Sequence, residues 1–280
     1  MEFVFHSPHF KINETLECGQ AFRFTKISEN EYKLIANGKV LTVTQKGNNE
    51  ISLSPCTADE FEKIWARYFD LATDYTAIKQ KLSADPVLER AIAFAGGIRL
   101  LNQDPWETLL SFIISQNMNI PRIKKIIADI CERYGDEIEG NEHAFPPPEK
   151  LATLDIPALA ACRTGFRAKY LADAIHRVAS GMLEINHIFE TPTAELRAEL
   201  LKIYGVGEKV ADCVMLYGCG RREVFPTDVW VKRVMQNLYF GGRDVPMKEI
   251  HAFAAEKFGA LAGYAQQYLF HYARNGGSIC

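Results

Sequence analysis

The stretch Gly205-Val206-Gly207-Glu208-Lys209 sets a lysine two residues beyond a two-glycine turn, and Pro226-Thr227-Asp228 sets a carboxylate nineteen residues after that lysine. Apolar residues at 196, 200 and 203 have helical spacing before the turn, and the segment 208–217 reads as a second helix after it. Lys209 then falls in the first turn of a helix, where the dipole disfavours a charged amine and frees it as a nucleophile. Asp228 opens a further helix. Taken singly, Lys209 reads equally as a solvated surface lysine and Asp228 as a helix cap. Together, an amine and a carboxylate at two helix starts, one helix apart, could converge on one reacting carbon.

A Gly-x-Gly before a helix also invites a dinucleotide-binding reading. That fingerprint must follow a strand and carry a third small residue, but here a helix precedes it and Val210 holds the third place. The alternative is helix, hairpin, helix over 193–217. Bare N–H groups at Gly205, Val206 and Gly207 would then make a nest for a phosphate oxygen, although a plain helix–helix turn fits the same residues.

The elements that must position these residues change character along the chain. Residues 3–5, 21–27, 32–36 and 40–44 are short β-branched or aromatic runs, and Asn37-Gly38 is a strong hairpin signal. From Thr57 the period is helical, with Phe61, Ile64, Trp65 and Tyr68 at i, i+3, i+4 and i+7. Helices are expected near 59–70, 75–82, 86–95, 104–116, 120–134, 148–153, 167–181, 193–203, 208–217, 228–239, 247–257 and 260–273. A small antiparallel sheet followed by a helical body is an α+β chain, divided here into residues 1–95 and 96–280.

Composition bounds the rest. The chain has 280 residues, 48% of them hydrophobic, with 32 Lys+Arg against 35 Asp+Glu and a formal net charge of -3. This excludes disorder and coiled coil, and a near-neutral total argues against bulk electrostatic binding of nucleic acid. The charge is uneven, however. Residues 136–165 hold six acids and two bases, whereas residues 201–240 hold six bases and four acids. No apolar run approaches the ~18 residues that span a bilayer, and the first residues lack the pattern of a signal peptide. Seven scattered cysteines without C-x-x-C, and histidines without H-x-x-x-H, point to no disulfide framework and no metal. A cytoplasmic protein is expected.

Five further stretches, in order along the chain, resemble those of the 8-oxoguanine DNA glycosylases, lysine-bearing members of the helix-hairpin-helix glycosylase superfamily. They are Gly19-Gln20-Ala21-Phe22-Arg23-Phe24; Gly97-Ile98-Arg99-Leu100-Leu101 with Gln103-Asp104-Pro105; Ser111-Phe112-Ile113 with Asn117-x-Asn119-Ile120-x-Arg122; Gly165-Phe166-Arg167-Ala168-Lys169-Tyr170; and Ala262-Gly263-Tyr264-Ala265-Gln266 with Leu269-Phe270. The resemblance implies a sheet domain packed on two helical lobes with the active cleft between them. It implies a bifunctional enzyme acting on duplex DNA: Lys209 attacks C1′ of an extruded 8-oxoguanine nucleotide, and Asp228 stabilises the developing oxocarbenium charge. Gly19 would accept the N7–H peculiar to the lesion, Cys213 and Phe270 would sandwich the base, and Gln266 would bond its Watson–Crick edge. Asn117 would fill the vacated stack, Phe166 would wedge into it, and Arg122 and Arg167 would read the orphaned cytosine. A monomer without cofactor or iron–sulfur cluster is implied, because Cys280 is the only cysteine after Cys219.

The chain departs from the family at four places. Tyr204 replaces a proline before the hairpin and is expected to loosen it, Phe166 replaces a tyrosine, Met118 replaces an asparagine, and Trp230 replaces a histidine. Two alternatives stay open: a monofunctional alkylated-purine glycosylase, which needs Asp228 but not Lys209, and a non-catalytic hairpin module that only binds DNA.

Overall fold

Residues 1–276 are described by a computed structural model; Cys280, on which the cluster expectation touches, lies outside them. Asn37 and Gly38 both take positive φ, 53° and 68°, the combination a two-residue hairpin turn requires. They fold strand Glu31–Ala36 back on Lys39–Gln45, with Ala36 opposite Lys39 and Leu34 opposite Leu41. With β1 (Phe3–His6), β2 (Phe24–Ser28) and β5 (Glu50–Ser54), these two strands, β3 and β4, make an antiparallel sheet of order β1-β5-β4-β3-β2. Tyr32, Leu34, Leu41, Val43, Ile51 and Leu53 share one face by alternation. They are buried beneath Ile12 and Leu16 of a one-turn helix and Trp65 and Tyr68 of the helical stretch 58–68.

The helical body follows as α1 (Tyr75–Leu82), α2 (Pro86–Phe94), α3 (Pro105–Ser115), α4 (Ile120–Tyr134), α5 (Ala168–Ala179), α6 (Thr193–Leu201), α7 (Glu208–Tyr217), α8 (Val229–Tyr239), α9 (Met247–Phe258) and α10 (Ala262–Arg274). Polar side chains start several of them: Asp85, Asp104, Asn119 and Asp228 each accept a backbone N–H of the first turn. Helices α3 and α7 are buried nearly all round and form the middle of the body. Among the described residues no helix is long and apolar enough to cross a membrane.

Two expectations differ from what is observed. Strand β5 escapes a periodicity reading because only Ile51 and Leu53 alternate, between serines. The run 21–27 is strand only from Phe24, since residues 19–23 form a loop held by side-chain bonds. Within residues 1–95 the helices flanking the sheet include α1 and α2, whose buried Tyr75, Ile78, Leu82, Leu88 and Ala91 join the helical core.

That loop is where the two parts are tied. Gln20 is fully buried; its amide donates to the carbonyls of Thr15 and Arg99, both at 2.8 Å, and its Oε1 accepts Leu101 N–H at 2.9 Å. Arg99, also buried, donates to the Asp70 carbonyl and Ser7 Oγ and lies 4.4 Å from the Tyr75 ring centre. Replacing Gln20 by leucine leaves the Arg99 carbonyl and Leu101 N–H without partners, at about 1–3 kcal/mol each, and the Thr15 carbonyl with only the Cys18 thiol. The Gln20→Leu chain is therefore expected to lose about 3 kcal/mol or more by urea denaturation; an unchanged midpoint would show that this network is not what docks the sheet.

Candidate active site

Helix α7 carries Lys209, Cys213 and Tyr217 at i, i+4 and i+8, and so on one face. Its N-cap is Gly207, which has no side chain to cover the first-turn N–H groups, so that helix start lies open. Gly205 holds φ +80°, and a Cβ there would sit 2.4 Å from the Tyr170 ring, so only glycine permits this approach of the hairpin to α5. Val206 differs from its neighbours. Its N–H donates to the Ile203 carbonyl at 3.0 Å and its side chain is buried, so it braces the hairpin and does not add to the phosphate nest. The expected loosening at Tyr204 does not occur either. Tyr204 N–H donates to Asp173 Oδ2 at 2.8 Å, a bond that proline could not make.

Asp228 caps α8 through Oδ1, which accepts Val231 N–H at 2.8 Å. The loop behind it is pinned by Thr227, whose buried hydroxyl donates to the Phe225 carbonyl at 2.9 Å and meets His251 Nε2 at 3.1 Å.

These elements converge. A slot of about 50 Å³ is lined by Gly19, Phe112, Lys209, Cys213, Tyr217, Pro226, Asp228, Gln266 and Phe270. It opens into a cleft of about 410 Å³ that shares Gly19, Phe112, Lys209, Asp228 and Phe270 with it and adds Trp230 and Arg274. Both expected catalytic residues and all four expected base contacts thus border one space. Lys209 Nζ lies 5.3 Å from the Phe112 ring centre, and no carboxylate among the described residues is within ion-pair reach of it. Burial pushes the Cys213 thiol up to about 11, with the Lys209 ammonium pulling the other way, so the thiol stays protonated and is not the nucleophile. Gln266 borders the slot, and its Oε1 is buried without any hydrogen-bond partner. Among the described residues no three His, Cys, Asp or Glu side chains gather as a metal would need.

The remaining expected contacts form a ridge beside the cleft. Asn117, exposed and at φ +52°, follows α3. Arg167 donates to the carbonyls of Gln116 and Asn117 and stacks 4.3 Å from the centre of the Phe166 ring. The exposed Phe166 meets Tyr170 edge-on, and Tyr170 meets Tyr204 at the hairpin. Arg122 is exposed and adds its charge to the burial that holds Arg167 below the usual arginine value. Arg167 is itself only 5% exposed, so reading a base would require it to exchange its carbonyl partners. Sequence reasoning missed Tyr217 and Arg274 as lining residues. Each lies eight residues beyond a named one on the same helix, and that spacing was the available signal.

The first part of the chain, residues 3–109, matches the model of the 8-oxoguanine DNA glycosylase N-terminal domain, and residues 110–259 match the HhH-GPD superfamily of base excision DNA repair proteins. A probable N-glycosylase/DNA lyase of Methanothermobacter thermautotrophicus is 31% identical over 79% of this chain and 76% of its own length. The chain belongs to the 8-oxoguanine DNA glycosylases of the HhH-GPD superfamily. Among solved structures, the Clostridium acetobutylicum 8-oxoguanine glycosylase/lyase bound to duplex DNA with cytosine opposite 8-oxoguanine superposes with a TM-score of 0.92. Identity to it is 42%, over 98% of both chains. The 3-methyladenine DNA-glycosylase of Archaeoglobus fulgidus, at 20% identity and a TM-score of 0.81 over 98% of both chains, shares the glycosylase fold alone.

Next to Cys213 in α7 lies Asp212, buried against Arg197 of α6. Burial pushes its carboxyl from 3.8 up to about 6, with Arg197 opposing. Between those values the folded chain keeps a proton that the unfolded chain releases, so this group's contribution to stability falls as pH rises through the window. Asp212→Asn removes the dependence. The melting-temperature difference, variant minus wild type, should climb from pH 4 to 6 and then level; a flat difference would refute the burial effect.

Proposed function

We propose that this chain excises 8-oxoguanine opposite cytosine from duplex DNA and nicks the strand through a lysine Schiff base. The observation that carries the reading is the slot bordered together by Lys209, Asp228, Cys213, Gln266 and Phe270. The lesion leaves the stack, since no side chain reaches its sugar inside the duplex. The Lys209 amine bonds to C1′ as the glycosidic electron pair departs with the base. The carboxylate of Asp228, with one oxygen committed to capping α8, uses the other to stabilise positive charge on the sugar. Loss of the ring oxygen's bond to C1′ gives the Schiff base, and removal of a C2′ proton then expels the 3′ phosphate.

In the same reading Gly19 accepts the lesion's N7–H, Cys213 and Phe270 hold the base by its faces, and Gln266 Oε1 accepts from its Watson–Crick edge. Asn117 and Phe166 fill the gap in the duplex. Arg122 and Arg167 address the cytosine, and the amides of Gly205 and Gly207 take a phosphate. The protein works as a monomer, without cofactor or iron–sulfur cluster, in the compartment that holds the DNA: the cytoplasm, or the nucleus of a eukaryote. The lysine in the slot supports this over a monofunctional alkylated-purine glycosylase, which would have no use for Lys209, and over a non-catalytic binding module.

Borohydride trapping on a duplex bearing 8-oxoguanine opposite cytosine separates this reading from both alternatives. The wild-type chain should form a covalent adduct and Lys209→Gln should form none; an adduct in that variant would mean a different nucleophile. Asp228→Asn should slow single-turnover excision by about a hundredfold or more, the usual loss when charge stabilisation is removed.

A further inference from the structure

Helix α10 sends three side chains toward the cleft at helical spacing: Gln266, Phe270 and Arg274. The first two border the inner slot, whereas Arg274 borders only the outer cleft, which it shares with Lys209, Asp228 and Trp230. One of its guanidinium nitrogens lies 3.4 Å from where a Cβ on Gly19 would stand, and its guanidinium carbon is 5.9 Å from the centre of the Phe270 ring. Of the arginines nearby, Arg167 is occupied by carbonyls at 116 and 117 and Arg222 by the Leu216 carbonyl and Asn102 Oδ1, while Arg122 and Arg233, the latter stacked on Trp230, do not border the cleft. Arg274 has neither a carboxylate in ion-pair reach nor a hydrogen-bond acceptor among the described residues. It is an exposed planar cation beside the nucleophile, its donors free.

What it meets follows from where an extruded nucleotide must lie. With the base in the inner slot and C1′ at Lys209, the two phosphates flanking the sugar stay in the outer cleft. The guanidinium fork matches a phosphate's oxygens. We propose that Arg274 grips one of the two phosphates flanking the extruded nucleotide and thereby holds its sugar against Lys209. The inference rests on the glycosylase reading above. It competes with two plainer roles: a cation that stabilises the C-terminal end of α10, or a donor to the base itself.

The test is binding of the Lys209→Gln protein, with and without Arg274→Ala, to a duplex carrying a tetrahydrofuran abasic analogue, by fluorescence anisotropy over a salt series. Because the analogue has no base, only backbone contacts are read. Arg274→Ala should weaken binding about tenfold and reduce the slope of log K against log salt by about one, and Arg274→Lys should restore most of that slope. A neutral methylphosphonate at one of the two flanking linkages should weaken the Arg274-containing protein equally and leave the alanine variant no weaker. An unchanged slope, or losses that multiply at both linkages, overturns the proposal. So does a defect confined to duplexes that carry the base, which would make Arg274 a base contact, or a loss explained by a lowered melting temperature. If the wild-type chain leaves 8-oxoguanine in place while these binding results hold, the glycosylase reading fails and the phosphate contact stands.

Discussion

The walls of the slot formed by α3, α7, α10 and the Gly19 loop are referenced to Tyr217. Its hydroxyl donates to Gln267 Oε1 at 2.7 Å, and the Gln267 amide donates to the Cys18 carbonyl at 3.0 Å. Its ring stacks on Phe112 with centres 5.4 Å apart, and its own carbonyl accepts Gln103 N–H at 2.9 Å. One residue thus joins α7, which carries Lys209, to α3, to α10, and to the loop that presents Gly19. These partners are buried, so a slip at any of them leaves an unpaired polar atom costing about 1–3 kcal/mol, more than the bond contributes when made. That asymmetry is what keeps side chains from four distant parts of the sequence in one register. The close approach at Gly263 acts in the same sense. A Cβ there would come 2.4 Å from Leu216 Cδ1, so α10 lies close enough to α7 for Gln266 and Phe270 to face Lys209 and Cys213.

The electrostatics suit a chain that meets a polyanion while carrying a net charge of -3. Attraction at this face comes from local arrangement: an uncapped helix start after Gly207, the neighbouring Arg122 and Arg167, and Arg274 at the cleft. Acid is neutralised or turned to structure. Asp104 and Asp228 cap helices, Asp173 ties Tyr204 and Arg177, and Glu107 pairs with Arg23. Within the slot, Lys209 has an aromatic face and a protonated thiol for company and no ion-pairing carboxylate, which leaves its amine uncommitted.

How much of this was legible in the sequence depends on the range of the interaction. Features set by neighbours a few residues apart, such as the Asn37-Gly38 turn, the caps at Asp104 and Asp228 and the helix after Gly207, follow from local spacing, and the observed elements lie within a residue or two of it. Features set by hydrogen bonds between residues some eighty or more positions apart do not. Gln20 and Arg99 stood out only through a family resemblance, and nothing in the pattern around either one says that the first accepts from Leu101 or that the second reaches Ser7. Strand β5 falls between these cases, because its place is fixed by pairing with β1 and β4 and its five residues hold too little alternation to announce it. The inward turn of Val206 was likewise invisible, since it follows from one backbone bond to Ile203.

The slot, about 50 Å³, is narrow beside a purine, and Phe270 crowds it: a ring carbon lies 3.3 Å from where a Gly19 Cβ would be. Any base that enters must push that ring aside and part Gly19 from α10. This work is the same for guanine and for its oxidised form, so it cannot discriminate between them; it only sets a threshold that every base must reach. Discrimination falls to what differs after entry. The lesion carries an oxygen at C8 and a hydrogen at N7, and in the proposed reaction the hydrogen is read, because it turns the edge facing the Gly19 carbonyl from acceptor to donor. With the lesion the carbonyl gains a partner, and with guanine two acceptors are forced together away from water. Mismatched buried polar groups of this kind separate substrates by far more than a missing methylene does. In that reading the Gly19 carbonyl converts the difference at N7 into a difference in how long the base stays, while Gln266 holds an edge that both bases share.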